Sequence, residues 1–186
     1  MKKEMMEWIK SIVIAVVVGL VISHFVMLLC VFDISMNPTL VELDRLILVN
    51  GLPIEKGDVV AFETEIPLTG SDLDKVNFIQ KLRYGTNKNL IKRIIAVEGD
   101  SIRVEDGEVY VNDVLLEEEY INEDYSMGLA QYDRIPEGYV FAMGDNRQHS
   151  LDSRNESVGL IEEGKIMGKV IFRVYPFNKW GTLNSN

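Results

Sequence analysis

The chain is poor in the residues that metal and disulfide chemistry require. It has one cysteine, Cys30, and two histidines, His24 and His149. A lone cysteine excludes an internal disulfide and a cysteine-rich metal cluster. Two histidines, one of them inside an apolar run, with no HExxH pattern, exclude the common zinc sites. Neither a Walker loop nor a GxGxxG turn is present, so nucleotide and dinucleotide cofactors have no recognisable cradle and no cofactor is expected. Positive charge is also scarce: 19 Lys and Arg face 29 Asp and Glu. Beyond residue 32 the balance is 16 to 27, a net charge of −11. Such a domain repels phosphate backbones, and nucleic acid is excluded as a partner.

What is present is a long run without charge. From Ser11 to Phe32 there is no Asp, Glu, Lys or Arg, and 18 of the 22 residues are apolar. As a helix rising ~1.5 Å per residue it would span about 33 Å, enough for a ~30 Å hydrocarbon core. It is too long for a cleaved leader, and no small-x-small site ends it. A transmembrane helix is therefore expected, with residues 1–32 as cytoplasmic N-terminus and anchor. Lys2, Lys3 and Lys10 on its N-terminal side argue for a cytoplasmic N-terminus and place residues 33–186 outside the cell membrane. Trp8 fits an interfacial anchor.

Residues 33–186 read mainly as β. Short runs rich in Val, Ile, Phe and Tyr occur at Leu46–Val49, Asp58–Phe62, Ile91–Val97, Ser101–Glu105, Glu108–Val111, Tyr139–Met143 and Gly168–Tyr175, bounded by turn formers. Asp106-Gly107 predicts a hairpin, and Asn112-Asp113 a second turn. Val76, Ile79 and Leu82, at helical spacing after Ser71-Asp72, predict a short helix over 71–84. Glu117–Glu119 reads as a solvated acidic face.

Three polar clusters interrupt the strands: Ser35-Met36-Asn37-Pro38-Thr39-Leu40, the Lys92-Arg93 pair within Leu90–Asp100, and Gly144-Asp145-Asn146-Arg147-Gln148-His149-Ser150-Leu151-Asp152-Ser153-Arg154. A serine nucleophile needs a base. His149 is the only histidine candidate. Lysine is the other, and serves only when neutral, a state that burial favours by lowering its pKa. Alternation puts Lys92 on the face of Ile94 and opposite Arg93. If Arg93 faces water, Lys92 faces the interior; the alternative is a solvated Lys92 and an Arg93 paired with an acidic neighbour. For the third cluster the plain alternative is a polar loop held by Asp–Arg pairs.

Taken in order after an apolar helix, SMNPTL, KRIIAVEGD and GDNRQHSLDSR closely resemble the type I signal peptidases, membrane-bound serine proteases with a Ser–Lys dyad. Gly57-Asp58-Val59-Val60-Ala61-Phe62 resembles a further strand of that family, and the single expected span resembles its Gram-positive members. The resemblance implies an antiparallel coiled β-sheet catalytic domain. It implies Ser35 as nucleophile and Lys92 as neutral general base. Ser150 would bind the lysine amine, Asp145, Asp152 and Arg154 would form a supporting charge network, and Met36 with Pro38 would shape the turn presenting Ser35. It also implies secretory preproteins with small residues at −1 and −3 as substrates, with the lipid bilayer as the second partner. Two departures stand out. Where some members carry a serine that donates to the oxyanion, this chain has Asp33, so the Ser35 amide must do more of that work or Asp33 must point away. Residues 63–89 form a longer insertion than the family pattern leads one to expect. The rival readings are a specialised pilin- or conjugation-processing peptidase and an inactive membrane-tethered β scaffold; the self-cleaving repressors share the Ser–Lys logic but need a DNA-binding domain and no membrane anchor, and fit badly.

Overall fold

The computed structural model describes residues 2–70, 87–121 and 125–183. The N-terminal helix α1 runs Lys2–Phe25. Its segment Glu4–Phe25 has a mean hydropathy of 2.2, with none of it buried against the rest of the chain. At ~1.5 Å per residue such a segment is long enough for a bilayer.

The helix stops seven residues before the expected end at Phe32. Val26–Cys30 forms strand β1 instead, paired residue by residue with β2, Arg45–Val49, from Val26↔Val49 to Cys30↔Arg45. The Asn50 amide donates to the Phe25 carbonyl oxygen at the junction, 2.9 Å. The physical reason is packing. As strand residues, Met27 and Leu29 lie on an apolar cluster that contains Val31, Met36, Leu40 and Leu46. One hydrophobic run thus serves two elements.

The remaining strands are β3 (Val59–Pro67), β4 (Asn87–Ala96), β5 (Ile102–Glu105), β6 (Glu108–Val111), β7 (Val114–Leu115), β8 (Ala130–Tyr132), β9 (Tyr139–Met143), β10 (Ile161–Glu162) and β11 (Ile166–Tyr175). Seven form an antiparallel sheet in the order β1-β2-β11-β3-β4-β9-β10, and four form a smaller sheet, β7-β6-β5-β8. All seven expected runs are strands, to within one or two residues at most ends. The short strands β7, β8 and β10 carry too few residues to show periodicity. Asp106 and Gly107 both have positive φ, 51° and 88°, as do Asn112 and Asp113, 53° and 61°. Those are the backbone signs of the two-residue turns that suit the twist of a hairpin. Part of the expected 63–89 insertion is strand, since β3 reaches Pro67 and β4 begins at Asn87, with Glu63↔Asn89 and Pro67↔Asn87 paired. The helix expected over 71–84 lies outside the described residues.

Apolar side chains fill three clusters. One joins the small sheet to β4 and β9 through Val104, Val109, Ile95 and Phe141. The second packs the β1–β2 connection on β2, β3 and β11 through Met36, Leu40, Leu48 and Ala61. The third covers Val60, Phe62, Leu90, Ile94 and Val140. Lys92 pairs with Val60 across β3–β4, so it projects among the side chains of that third face.

The division of the apolar run has a consequence for truncation. A chain beginning at Val26 keeps β1, whereas one beginning at Asp33 loses five paired residues and uncovers the second cluster. Urea unfolding of the two truncated domains should show the shorter one weaker by roughly 2 kcal/mol, the worth of two half-buried side chains and a strand edge. Equal midpoints would mean that β1 adds nothing to the domain.

Candidate active site

Ser35 lies in the connection between β1 and β2, residues 31–44. The loop is closed at its base, where the Val31 amide donates to Asp44 O and the Leu43 amide to Val31 O, both 2.9 Å. Met36 anchors it from inside, 1% exposed in the second apolar cluster. The Leu40 amide donates to Met36 O at 2.8 Å, and the Asn37–Pro38 bond is cis. Ser35 is held on the surface of this plug with only 5% of its area exposed.

Lys92 comes from the middle of β4 and is completely buried. Its Nζ stands 2.5 Å from Ser35 Oγ and donates to the Ile91 carbonyl oxygen at 2.9 Å. Burial lowers the Lys92 pKa from the ordinary lysine value; Asp33, Asp152 and Asp145 pull the other way without reversing it, and Arg154 assists the lowering. A buried amine with a depressed pKa against a serine hydroxyl is the arrangement of a base and its nucleophile. His149 is exposed, and it is Lys92 that reaches Ser35.

The structure takes one half of each alternative: Lys92 faces the interior, and Arg93 does not face water but pairs with an acidic residue. Both are buried, on opposite faces of β4. Arg93 makes a two-pronged pair with Asp145, Nε to Oδ1 at 2.9 Å and an Nη to Oδ2 at 2.7 Å, and donates to the Gly57 carbonyl oxygen. Its guanidinium lies 3.9 Å from the ring centre of Tyr120. Asp145 also accepts from the Thr39 hydroxyl at 2.5 Å. It thus ties β4 to the loop that carries Ser35.

Residues 144–154 complete the site. The Asn146 amide donates to Ser35 O at 3.0 Å, and Asn146 Nδ2 to Ile34 O at 3.1 Å. Gly144 is required by this close approach: a Cβ there would stand 2.2 Å from Ser150 Oγ and 2.4 Å from the Ser35 carbonyl oxygen. Asp152 accepts from the Gly144 amide at 2.9 Å and forms a two-pronged pair with Arg154, 2.8 and 2.7 Å. Burial opposes ionisation of Asp152, but Arg154 and the Gly144 amide outweigh it and hold its carboxyl below the ordinary range.

Two expectations are corrected, and one orientation left open is decided. The Ser150 hydroxyl does not bind the Lys92 amine: it is buried without a hydrogen-bond partner. Its hydroxyl nonetheless favours the ionised form of Asp152. Glu118, assigned to a solvated face, is buried against Arg147 in a two-pronged contact and accepts from the Tyr120 hydroxyl. Asp33 does not point away. Its Oδ1 accepts from the Ser35 amide at 2.9 Å and from Ser35 Oγ at 2.7 Å. Thr39, Arg93, Arg147 and Glu118 were not singled out for the site. Arg93 and Arg147 lie inside the polar motifs, but pairing partners 52 and 29 residues away leave no local signal. Among the described residues no three His, Cys, Asp or Glu converge to hold a metal ion.

The sequence profile described as "Signal peptidase, peptidase S26" matches residues 5–175. The chain is 31% identical over 194 residues to a signal peptidase I of Bacillus licheniformis, covering 96% of this chain and 92% of that one. It is 32% identical over 203 residues to signal peptidase IB of Staphylococcus aureus, covering 97% and 94%. A crystal structure of a signal peptidase I from Enterococcus faecalis aligns with a TM-score of 0.45 at 24% identity, over 63% of this chain and 97% of that one.

Two measurements probe the electrostatics of the site. Asp145→Ala strands a buried guanidinium, and urea unfolding should show a loss of about 3–5 kcal/mol, whereas Glu65→Ala, at an exposed pair with Lys165, should leave the midpoint unchanged. Lys92→Met should raise the melting temperature at pH 7. Between the depressed folded pKa and the ordinary unfolded one, the unfolded chain binds more protons, so Lys92 makes stability rise with pH in that window. That part of the rise should vanish in the Met variant.

Proposed function

The chain belongs to the signal peptidase family, peptidase S26, and we propose that it cleaves preproteins with Ser35 as nucleophile and neutral Lys92 as general base. One observation carries the reading: a completely buried amine, 2.5 Å from a serine hydroxyl, in surroundings that favour its neutral form. In acylation, Ser35 Oγ bonds to the scissile carbonyl carbon as its proton passes to Lys92 Nζ, and the carbonyl π pair moves onto oxygen. The Ser35 amide is the donor placed to receive that oxyanion. Collapse of the intermediate breaks the C–N bond, and the Lys92 ammonium protonates the leaving amine. Neutral again, Lys92 takes a proton from water as it attacks the acyl carbon; collapse breaks the C–Oγ bond, and the Lys92 ammonium returns the proton to Ser35 Oγ.

Asp145 and Arg154 act through position. Asp145 links Arg93 on β4 to Thr39 beside the nucleophile, and Arg154 neutralises Asp152 at the turn where Gly144 passes Ser35. The anchor supplies location. Helix α1 crosses the cell membrane once with its lysine-bearing end in the cytoplasm, residues beyond Phe25 form the outside catalytic domain, and Ser35 lies ten residues past the helix. Chemistry is thus held where a preprotein's own apolar segment leaves the lipid. Shallow subsites would admit small side chains at −1 and −3 and reject larger ones by bulk.

Cleavage of a preprotein in detergent tests the reading. Ser35→Ala, Lys92→Ala and Lys92→Arg should each lower kcat by about 10³-fold or more, the guanidinium failing because it stays charged. All three should remain folded by circular dichroism. In the wild type the rate should rise with pH and level off below the ordinary lysine pKa of about 10.4. Strong activity in Lys92→Arg would remove Lys92 as the base.

A further inference from the structure

Asp33 occupies both things that acylation needs from Ser35. A single oxygen, Oδ1, accepts the Ser35 backbone N–H at 2.9 Å and the Ser35 hydroxyl at 2.7 Å. The backbone N–H is the donor on which a developing oxyanion depends, and one N–H cannot serve a carboxylate and an oxyanion together. The hydroxyl carries one proton. While that proton points to Asp33, the Lys92 amine meets Oγ only with an N–H, whereas attack requires the hydroxyl proton to point to the lone pair of Nζ. Asp33 therefore holds the hydroxyl in the unreactive orientation, and its charge favours the ammonium, as well as filling the oxyanion position.

The charges around this contact isolate Asp33 further. Lys92 faces it across Ser35, with Asp152, Asp145 and Arg154 as the other charges acting on the amine. Asp145 is matched by Arg93 and Asp152 by Arg154. Asp33 is exposed, and no arginine pairs with it among the described residues. The turn does not depend on it, since Asn146 holds the backbone on both sides of Ser35 through Ile34 O and Ser35 O. A side chain placed so can rotate into water without unpacking the core.

We propose that Asp33 is a latch on the unliganded site, a positioning residue that keeps the Ser35 amide and hydroxyl proton engaged until an entering peptide displaces it. The inference rests on the Ser35–Lys92 reading above. When the latch opens, the amide turns to the substrate carbonyl oxygen, and the hydroxyl proton turns to Lys92. Oγ–C bond formation then proceeds with proton transfer to Nζ. A serine at this position would convert the acceptor into a donor for the same oxyanion, and an asparagine would keep the side-chain shape without the charge.

The test uses the full chain in detergent with a preprotein substrate bearing small residues at −1 and −3. It compares kcat, KM and their pH profiles for the wild type, Asp33→Asn, Asp33→Ser and Ser35→Ala. Both Asp33 variants should raise kcat about tenfold at pH 7, more for Ser than for Asn, since an oxyanion donor is gained where a like charge stood. Their KM should stay within about twofold, because the change acts mainly in the transition state. The rising limb of the profile should move to lower pH, as loss of a neighbouring carboxylate makes the ammonium easier to deprotonate. Thermal midpoints should match the wild type. If kcat stays at or below the wild-type value and the limb does not move, while Ser35→Ala is inactive, the latch is overturned and the dyad stands. If Ser35→Ala retains wild-type cleavage, the dyad reading falls and the latch with it.

Discussion

A lysine amine in apolar surroundings is the constraint around which the site is arranged. Burial disfavours the ammonium, but this domain is acidic, and every nearby carboxylate works to restore the charge. The two deeper carboxylates are each matched by an arginine, Asp145 by Arg93 and Asp152 by Arg154. These pairs are poor sources of stability, because desolvating both ions offsets most of their attraction. Their value here is electrostatic insulation, since a neutralised carboxylate acts on Lys92 as a weaker dipole. Asp33 is exposed, no arginine pairs with it among the described residues, and its charge acts on Lys92 without that insulation.

The same pairs also assemble the site. Ser35, Lys92 and residues 144–154 are far apart in the chain, and bringing them together costs loop-closure entropy that no local contact returns. The antiparallel order β3-β4-β9 places Lys92 and the start of the glycine-led turn on neighbouring strands. The Ser35 loop is then fastened from two directions, by Thr39 on Asp145 and by Asn146 on the backbone of Ile34 and Ser35. Met36 and Leu40 bury the underside of that loop. A polar site therefore rests on an apolar plug, which lets the serine be precise although it sits in a connection between strands.

The N-terminal run shows how one composition can serve two elements. Its first part, in α1, exposes apolar side chains all round, as suits a helix surrounded by lipid. Its last part pairs with β2 and half-buries Met27 and Leu29 against the domain. The apolar helix therefore passes directly into the sheet that carries the Ser35 loop. On the reading proposed above, this short stiff passage keeps the chemistry near the lipid surface more firmly than a flexible linker would.

Much of this protein was legible from sequence because its signals are local. Seven strands announce themselves by β-branched and aromatic runs between turn formers, two hairpins by dipeptides suited to positive φ, and the helix by length without charge. Ser35, Lys92 and the glycine-led loop were legible only through a family resemblance, since no periodicity marks a nucleophile. Tertiary structure decided the rest. Helix and strand are equally compatible with an uncharged apolar run, and only pairing with β2 ended α1 at Phe25. Alternation on β4 could put Lys92 and Arg93 on opposite faces, but not reveal that both faces were buried, because burial depends on what packs there. Glu118 looked solvated until Arg147 reached it, and Ser150 looked bound to Lys92, whereas its buried hydroxyl has no hydrogen-bond partner. The orientation of Asp33 was left open by the sequence in the same way: a carboxylate two residues before a serine can turn outward or inward, and only the folded loop, with both Ser35 donors presented to one side, turns it inward.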